Sequence, residues 1–150
     1  LNLIEAEFKD LNVVIIDDSI VRGNTVRRLL DLVWAQGPKS VHFAIHSPPV
    51  LNPCYYGIDM STSAELAAPN YLNAAPPRGG LDPATQRTME EDWAKDLGID
   101  SLTFLSVPGM NATFPKSRCA ACFDGTYPLP IPDGQRESIA NDRICNRPSS

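Results

Sequence analysis

The string Val13-Val14-Ile15-Ile16-Asp17-Asp18-Ser19-Ile20-Val21-Arg22-Gly23-Asn24-Thr25 limits what this chain can fold into more than any other. Its first four residues are apolar and β-branched, without a polar interruption. Such a run predicts a buried strand of a parallel sheet. Two carboxylates stand where that strand must end, and a short loop with one glycine follows. From residue 24 to about residue 36 the pattern turns helical, with Val26, Leu29, Leu30 and Val33 repeating on one face. Gly37-Pro38 stops the helix. Residues 40–46 then alternate, Val41, Phe43 and Ile45 on one side and Ser40, His42 and Ala44 on the other. The three segments form a β-α-β unit, whose crossover is right-handed in nearly all cases. The expected class is α/β, a parallel sheet flanked by helices.

In open α/β sheets, ligands bind past the carboxyl ends of the strands, in front of helix N-termini. Two acids and a phosphate-sized loop at that place point to a sugar phosphate, the acids for its hydroxyls and the loop for its phosphate. The plainer reading is that an aspartate at a strand end only forms a turn or caps a helix. Arg22 reads equally well as a phosphate contact and as an exposed ion pair. Asn24 suits a helix cap, and Arg27 and Arg28 read as solvated helix residues. The Gly-Lys-Ser/Thr of nucleotide-hydrolase P-loops is absent.

Further along, residues 47–60 carry three prolines and predict an ordered loop rather than a helix. Residues 61–68 predict a short helix capped by Ser61 or Thr62. Residues 70–82, rich in Pro, Gly and Asn, read as a flexible insertion. Met89, Trp93 and Leu97 recur at four-residue spacing and predict a helix over 83–97, ended by Gly98. Residues 101–106 predict a third strand, and the polar stretch 133–150 a loose tail. His42 and His46, on or beside a strand, read as satisfied sheet histidines rather than catalysts. There is no internal repeat.

The 150 residues are one domain's worth, and a net charge of −5 leaves no electrostatic footprint for nucleic acid. No apolar run approaches the ~20 residues that span a bilayer. No signal peptide is visible, so a cytoplasmic setting is expected. The chain starts at Leu1, and a first strand this early in a parallel sheet needs further neighbours. The expectation is a piece of something longer.

Of the four cysteines, Cys119 and Cys122 form a C-x-x-C, while Cys54 lies in the proline-rich loop and Cys145 in the tail. One C-x-x-C is ambiguous among a redox pair, half a metal site and chance, and ordinary thiols are the plainer reading. Zinc takes four ligands, often from two such pairs. Three thiolates and one more ligand would suit an iron–sulfur cluster. A disulfide framework is not expected, since nothing indicates secretion.

Residues 13–25 resemble the phosphoribosylpyrophosphate (PRPP) signature of type I phosphoribosyltransferases. Three further segments follow in order: Ser47-Pro48-Pro49 with Pro53-Cys54-Tyr55-Tyr56-Gly57-Ile58-Asp59-Met60, then residues 100–107, then Cys119-Ala120-Ala121-Cys122-Phe123-Asp124-Gly125-Thr126-Tyr127-Pro128. Together they resemble the glutamine PRPP amidotransferase family over residues 3–132. The PRPP signature alone marks only the superfamily; the other strings point to this family.

The resemblance implies a type I phosphoribosyltransferase-like sheet, present in part. Residues 1–132 would be the C-terminal part of that domain, with 70–82 an insertion and 133–150 a tail. An N-terminal glutaminase domain, absent from this chain, would release ammonia. The transferase domain would pass it to C1 of PRPP, giving 5-phosphoribosylamine and pyrophosphate at the first step of purine synthesis. This stretch alone would not catalyse the complete reaction, and the full-length protein would be a homo-oligomer. PRPP would be bound by Asp17, Asp18, Ser19, Ile20, Val21, Arg22, Gly23, Asn24 and Thr25. Asp17 and Asp18 would also hold Mg²⁺, and by charge logic they would favour the cationic ribose of the transition state. Asn24 departs from the threonine usual in the family. Cys54, Cys119 and Cys122 match three ligands of a structural 4Fe-4S cluster whose fourth ligand lies upstream; Cys145 lies outside the match. Two other readings compete. A base-salvaging phosphoribosyltransferase would not need the cysteines. A non-catalytic PRPP-sensing regulator would carry a nucleic-acid element that the charge argues against.

Overall fold

The computed structural model of the chain describes residues 7–60, 62–114, 118–132 and 134. The proposed Ser61 cap, Cys145 and nearly all of the 133–150 tail lie outside them. The order of elements is β1 (Asn12–Asp17), α1 (Asn24–Trp34), β2 (Ser40–Ile45), α2 (Pro83–Leu97), β3 (Ser101–Phe104), α3 (Val107–Thr113) and α4 (Ala121–Asp124). Two 3-10 turns, Ser63–Glu65 and Ala68–Tyr71, lie between β2 and α2. The strands form one parallel sheet in the order β1-β2-β3.

Register explains which residues are buried. Val13 and Ile15 stand opposite Val41 and Phe43, and Phe43 and Ile45 stand opposite Leu102 and Phe104. These residues share one face. With Val26, Leu30 and Val33 of α1 and Met89, Trp93 and Leu97 of α2, most of them form a single core. Trp93 is at its centre, 1% exposed and stacked between Tyr71 and Phe104 at centroid distances of 4.8 and 5.4 Å.

The expected burial of β1 is corrected. Within the described residues Val14 and Ile16 are 61% and 62% exposed, and β1 is the outer strand of the three. The physical reason is the winding. The chain steps in one direction from β1 to β2 to β3, so right-handed crossovers lay α1 and α2 on the same side of the sheet. Among the described residues no helix packs against the other side. There His42 is a satisfied sheet histidine, with Nδ1 2.8 Å from Ser101 Oγ and Nε2 3.2 Å from Ser40 Oγ.

The helix over 83–97 forms as expected, because both ends are specified. Asp82 accepts from the Ala84 and Thr85 N–H groups, Pro83 opens the helix, and Gly98 closes it at φ 68°. Instead of a helix over 61–68 there are two short 3-10 turns, and Thr62 caps nothing with its side chain. The third strand stops at Phe104, where Ser106 caps α3 by accepting from Gly109 N–H. The 70–82 segment is pinned at both ends, with Tyr71 and Leu72 packed on the core and Leu81 buried in it.

Candidate functional site

Asp17 closes β1 and Asp18 opens the loop, so both carboxylates stand at the carboxyl edge of the sheet. Asp17 is half-buried and Asp18 exposed. Asp17 Oδ1 accepts from Asp18 N–H at 2.9 Å, and Asp18 Oδ1 accepts from Ser19 Oγ at 2.9 Å. The β2 strand end braces the pair, because His46 N–H donates to Asp17 O at 3.0 Å. Among the described residues neither carboxylate has a cationic partner. Two adjacent, unneutralised oxygen donors suit a hard cation or a row of hydroxyls.

The loop that follows is anchored from below. Ile20 is 2% exposed and belongs to the main core, while Val21 packs on a second cluster formed by Val50, Met60 and Leu66. Val21 O accepts from Ala67 N–H at 2.8 Å. Gly23 occupies the N-cap position of α1 at φ 77°, which an L side chain adopts only under strain. No side chain caps this helix and its first turn carries no acid. Its leading N–H groups therefore lack side-chain acceptors, as an anion-binding helix start requires. Asn24 is the first helical residue, so its expected capping role does not materialise. Thr25 is exposed beside it.

Arg22 resolves toward the ion pair. Its Nη2 donates to Asp59 O at 2.9 Å, to Asp59 Oδ2 at 3.3 Å and to Glu65 Oε2 at 3.1 Å. Both acids raise the Arg22 pKa, with Glu65 the largest cause. Arg27 is not merely solvated. Its guanidinium pairs with Asp96 of α2, and Tyr71 donates its hydroxyl to the same carboxylate. These bonds hold the Asp96 carboxyl below its usual range, Tyr71 contributing most and Arg27 next. Desolvation first, then Asp96, pushes the Tyr71 hydroxyl up to about 12. An open cavity of about 440 Å³ lies beside this end of α1, and Arg22, Asn24, Arg27, Glu65 and Tyr71 are among the residues that line it. Asp17, Asp18, Ser19 and Thr25 do not line it.

The cysteines form a second feature. Cys54 and Cys122 are half-buried against the Val50–Met60–Leu66 cluster, and Cys119 is exposed. All three are free thiols. The two segments are laced by backbone bonds, since Cys122 O accepts from Leu51 and Asn52 N–H at 2.8 and 2.9 Å. Tyr127 adds a bond to Pro53 O at 2.6 Å. Burial, and then the nearness of Cys54 and Cys119, push the Cys122 thiol up to about 11. The thiols thus come into one neighbourhood, but among the described residues no three His, Cys, Asp or Glu side chains form a group able to hold a metal. No helix there is long and apolar enough to cross a membrane.

Sequence reasoning missed Asp59, Glu65, Asp96 and Tyr71. Each is an ordinary polar residue far along the chain from its partner. Only Asp59 carried a signal, as the acid of the Tyr-Gly-Ile-Asp string.

No protein-family model matches the chain. It is 38% identical over 132 residues to an amidophosphoribosyltransferase of Methanocaldococcus jannaschii, covering 87% of this chain and 24% of that protein. It is 36% identical over 150 residues to the one from Methanothermobacter thermautotrophicus, covering 98% and 28%. Among solved structures it is similar to the glutamine PRPP amidotransferase of B. subtilis complexed with ADP and GMP. The TM-score is 0.64 at 35% identity, over 87% of this chain and 26% of that one. The chain therefore spans about a quarter of the length of the relatives it matches. Those structures share its parallel sheet with flanking helices. By sequence and by fold, the chain belongs to the amidophosphoribosyltransferase family and corresponds to a partial, C-terminal region of its members.

Proposed function

We propose that this chain is the PRPP-binding part of an enzyme that joins ammonia to C1 of PRPP, releasing pyrophosphate and giving 5-phosphoribosylamine. In this reading residues 1–132 belong to the phosphoribosyltransferase domain. The ammonia comes from glutamine, through a glutaminase domain that this stretch does not include. The observation that carries the proposal is the join of β1 to α1: two carboxylates without a cationic partner among the described residues, a loop anchored by Ile20 and Val21, and a helix start without a side-chain cap.

Each part then has a task. Displacement of pyrophosphate builds positive charge on the ribose ring. Asp17 and Asp18, beneath it, accept hydrogen bonds from its hydroxyls and favour that charge. Residues 19–25 cradle the 5′-phosphate with backbone N–H groups and the Thr25 hydroxyl, and Gly23 lets the backbone approach. Ser19 Oγ donates to Asp18 Oδ1 and holds that carboxylate in place. Asp17 and Asp18 also fit Mg²⁺, a hard cation that takes carboxylate oxygens together with phosphate oxygens and water. Held there, such an ion would supply positive charge against the pyrophosphate leaving group.

Cys54, Cys119 and Cys122 would hold a structural 4Fe-4S cluster together with a fourth ligand from elsewhere. Thiolate chemistry supports this, although the described residues do not present an assembled site. No step of the reaction runs through the cluster. Its task would be to fasten the 119–128 segment to the 50–60 loop.

The test is PRPP-dependent pyrophosphate release by the complete polypeptide, with ammonium as nitrogen donor. Release that requires both Mg²⁺ and ammonium supports the reading. Release driven by a purine or pyrimidine base would assign a salvage enzyme, and PRPP binding without release would assign a sensor.

A further inference from the structure

Arg22 lies in the middle of the proposed phosphate loop, and its guanidinium is taken up by two acids from a segment some forty positions on. Its Nη2 is held by Glu65 Oε2 at 3.1 Å and by Asp59 through both its carbonyl, at 2.9 Å, and its carboxylate, at 3.3 Å. The two acids are not equivalent. The Asp59 side chain is 76% exposed, where an ion pair is weak, whereas that of Glu65 is 13% exposed. A carboxylate so far withdrawn from water needs its partners. The same short segment grips the loop again two residues on, where Ala67 N–H donates to Val21 O at 2.8 Å. Leu66, between them, is 1% exposed in the cluster on which Val21 packs. The segment 65–67 therefore holds the loop by charge, by packing and by a backbone bond.

We infer that Glu65 is a positioning residue for the phosphate loop, acting through Arg22 rather than on the substrate. This inference rests on the proposal that the loop binds PRPP. Held by Glu65, Arg22 fixes the backbone between Val21 and Gly23, and so aims the N–H groups that meet the 5′-phosphate. Asp59 is the weaker, solvent-side half of the clamp. The inference carries an unusual sign. Glu65 is an anion close to the binding place of a polyanion, so by simple electrostatics its neutralisation should tighten PRPP binding. As a positioning residue, its neutralisation should loosen it.

The experiment is a double-mutant cycle in the complete polypeptide, with saturating ammonium and PRPP varied. Glu65→Gln should raise KM for PRPP about fivefold to tenfold while kcat stays within about twofold, the pattern of lost uniform binding. Arg22→Met should raise KM similarly. In the Arg22→Met background, Glu65→Gln should add less than about twofold, because the two side chains act as one unit. Asp59→Asn should have the smaller effect. A Glu65→Gln enzyme with unchanged or lowered KM overturns the inference, as do fully additive effects in the cycle. A wild-type protein that neither binds nor turns over PRPP overturns both the function and this inference. A wild type that turns it over beside an indifferent Glu65→Gln variant overturns this inference alone.

Discussion

Val21 of the loop after β1 and Cys122 of the C-x-x-C pack against one cluster of three buried residues, Val50, Met60 and Leu66. The loop and the cysteine motif are 101 positions apart in sequence, yet one small hydrophobic cluster supports both. Damage to that cluster should be felt at both ends. Leu66→Ala removes its most buried side chain and should cost about 2–5 kcal/mol. In the complete polypeptide, urea unfolding should register the loss. Cys122 should also become more reactive to a thiol reagent, and KM for PRPP should rise. If Cys122 reactivity and KM stayed at wild-type values, the cluster would not be the shared support described.

The carboxylate pair makes the sharpest prediction for catalysis. Asp17→Asn and Asp18→Asn keep the size of each side chain and remove the charge proposed to face the developing ribose cation. Each should lower kcat for ammonia-dependent pyrophosphate release by about 10²–10³-fold. Asp18 is exposed and braces little beyond Ser19, so Asp18→Asn should leave the Tm nearly unchanged. A fully active Asp18→Asn enzyme would remove the assigned role.

Gly23 tests the loop backbone. A methyl group there would meet Ala67 Cβ at 3.5 Å, an ordinary contact, so space is not the obstacle. The obstacle is φ 77°, where an L residue is strained by roughly 1–2 kcal/mol. Gly23→Ala should lower the Tm modestly and raise KM for PRPP as the strained turn relaxes. A variant unchanged in both would show that the loop does not need the left-handed turn.

The elements that carry the site are legible in the amino-acid sequence. β1, α1, β2 and α2 follow from local rules: β-branched runs, a helical apolar face, Asp82-Pro83 opening a helix and Gly98 closing it. The Asp-Asp pair and its loop are legible for the same reason, being one continuous string. What escapes is non-local. Within this stretch, about a quarter of its relatives' length, the exposure of Val14 and Ile16 follows from which side of the sheet the crossovers fall, not from the strand's own residues. The partners of Arg22 and Arg27 lie 37 to 69 positions away, and a surface acid carries no mark of the arginine it will meet. α3 and α4 are 7 and 4 residues long, too short for a periodic pattern to register.

The Tyr71–Asp96–Arg27 network makes stability depend on pH in two windows. Asp96 is held below its usual range, so the folded state binds its proton less readily than the unfolded one. Its contribution is present above the ordinary carboxylate range, near 3.8, and is lost as pH falls through the depressed value. Burial first, and then Asp96, raises Tyr71 from 10.0 to about 12, so the folded state keeps its proton longer. That contribution is complete below pH 10 and declines as pH rises toward 12. Tyr71→Phe should flatten the alkaline limb of a stability–pH profile, and Asp96→Asn part of the acid limb. The Asp96 effect should be small, because its side chain is 46% exposed and screened by solvent. Unchanged limbs in both variants would mean the network does not persist in solution.

The cysteines offer the prediction that separates the competing readings. As free thiols they should differ in reactivity. Cys119 is exposed, while Cys122 is half-buried with its thiol pushed up to about 11. Alkylation at neutral pH should therefore reach Cys119 first, and Cys122 should lag because little of it is thiolate. A cluster would reverse this logic, since a metal takes the thiolate form outright and protects every ligand at once. The complete polypeptide, purified without oxygen, should contain about four iron and four acid-labile sulfide per chain. Both should be lost in Cys119→Ser, and removal of iron with a chelator should restore the unequal alkylation. Because Cys122 O already accepts from Leu51 and Asn52 N–H, the chelated protein should lose stability without losing its sheet. A folded, active wild type with no iron would remove the cluster and leave Cys54 and Cys122 as packing residues on the small core that also supports Val21.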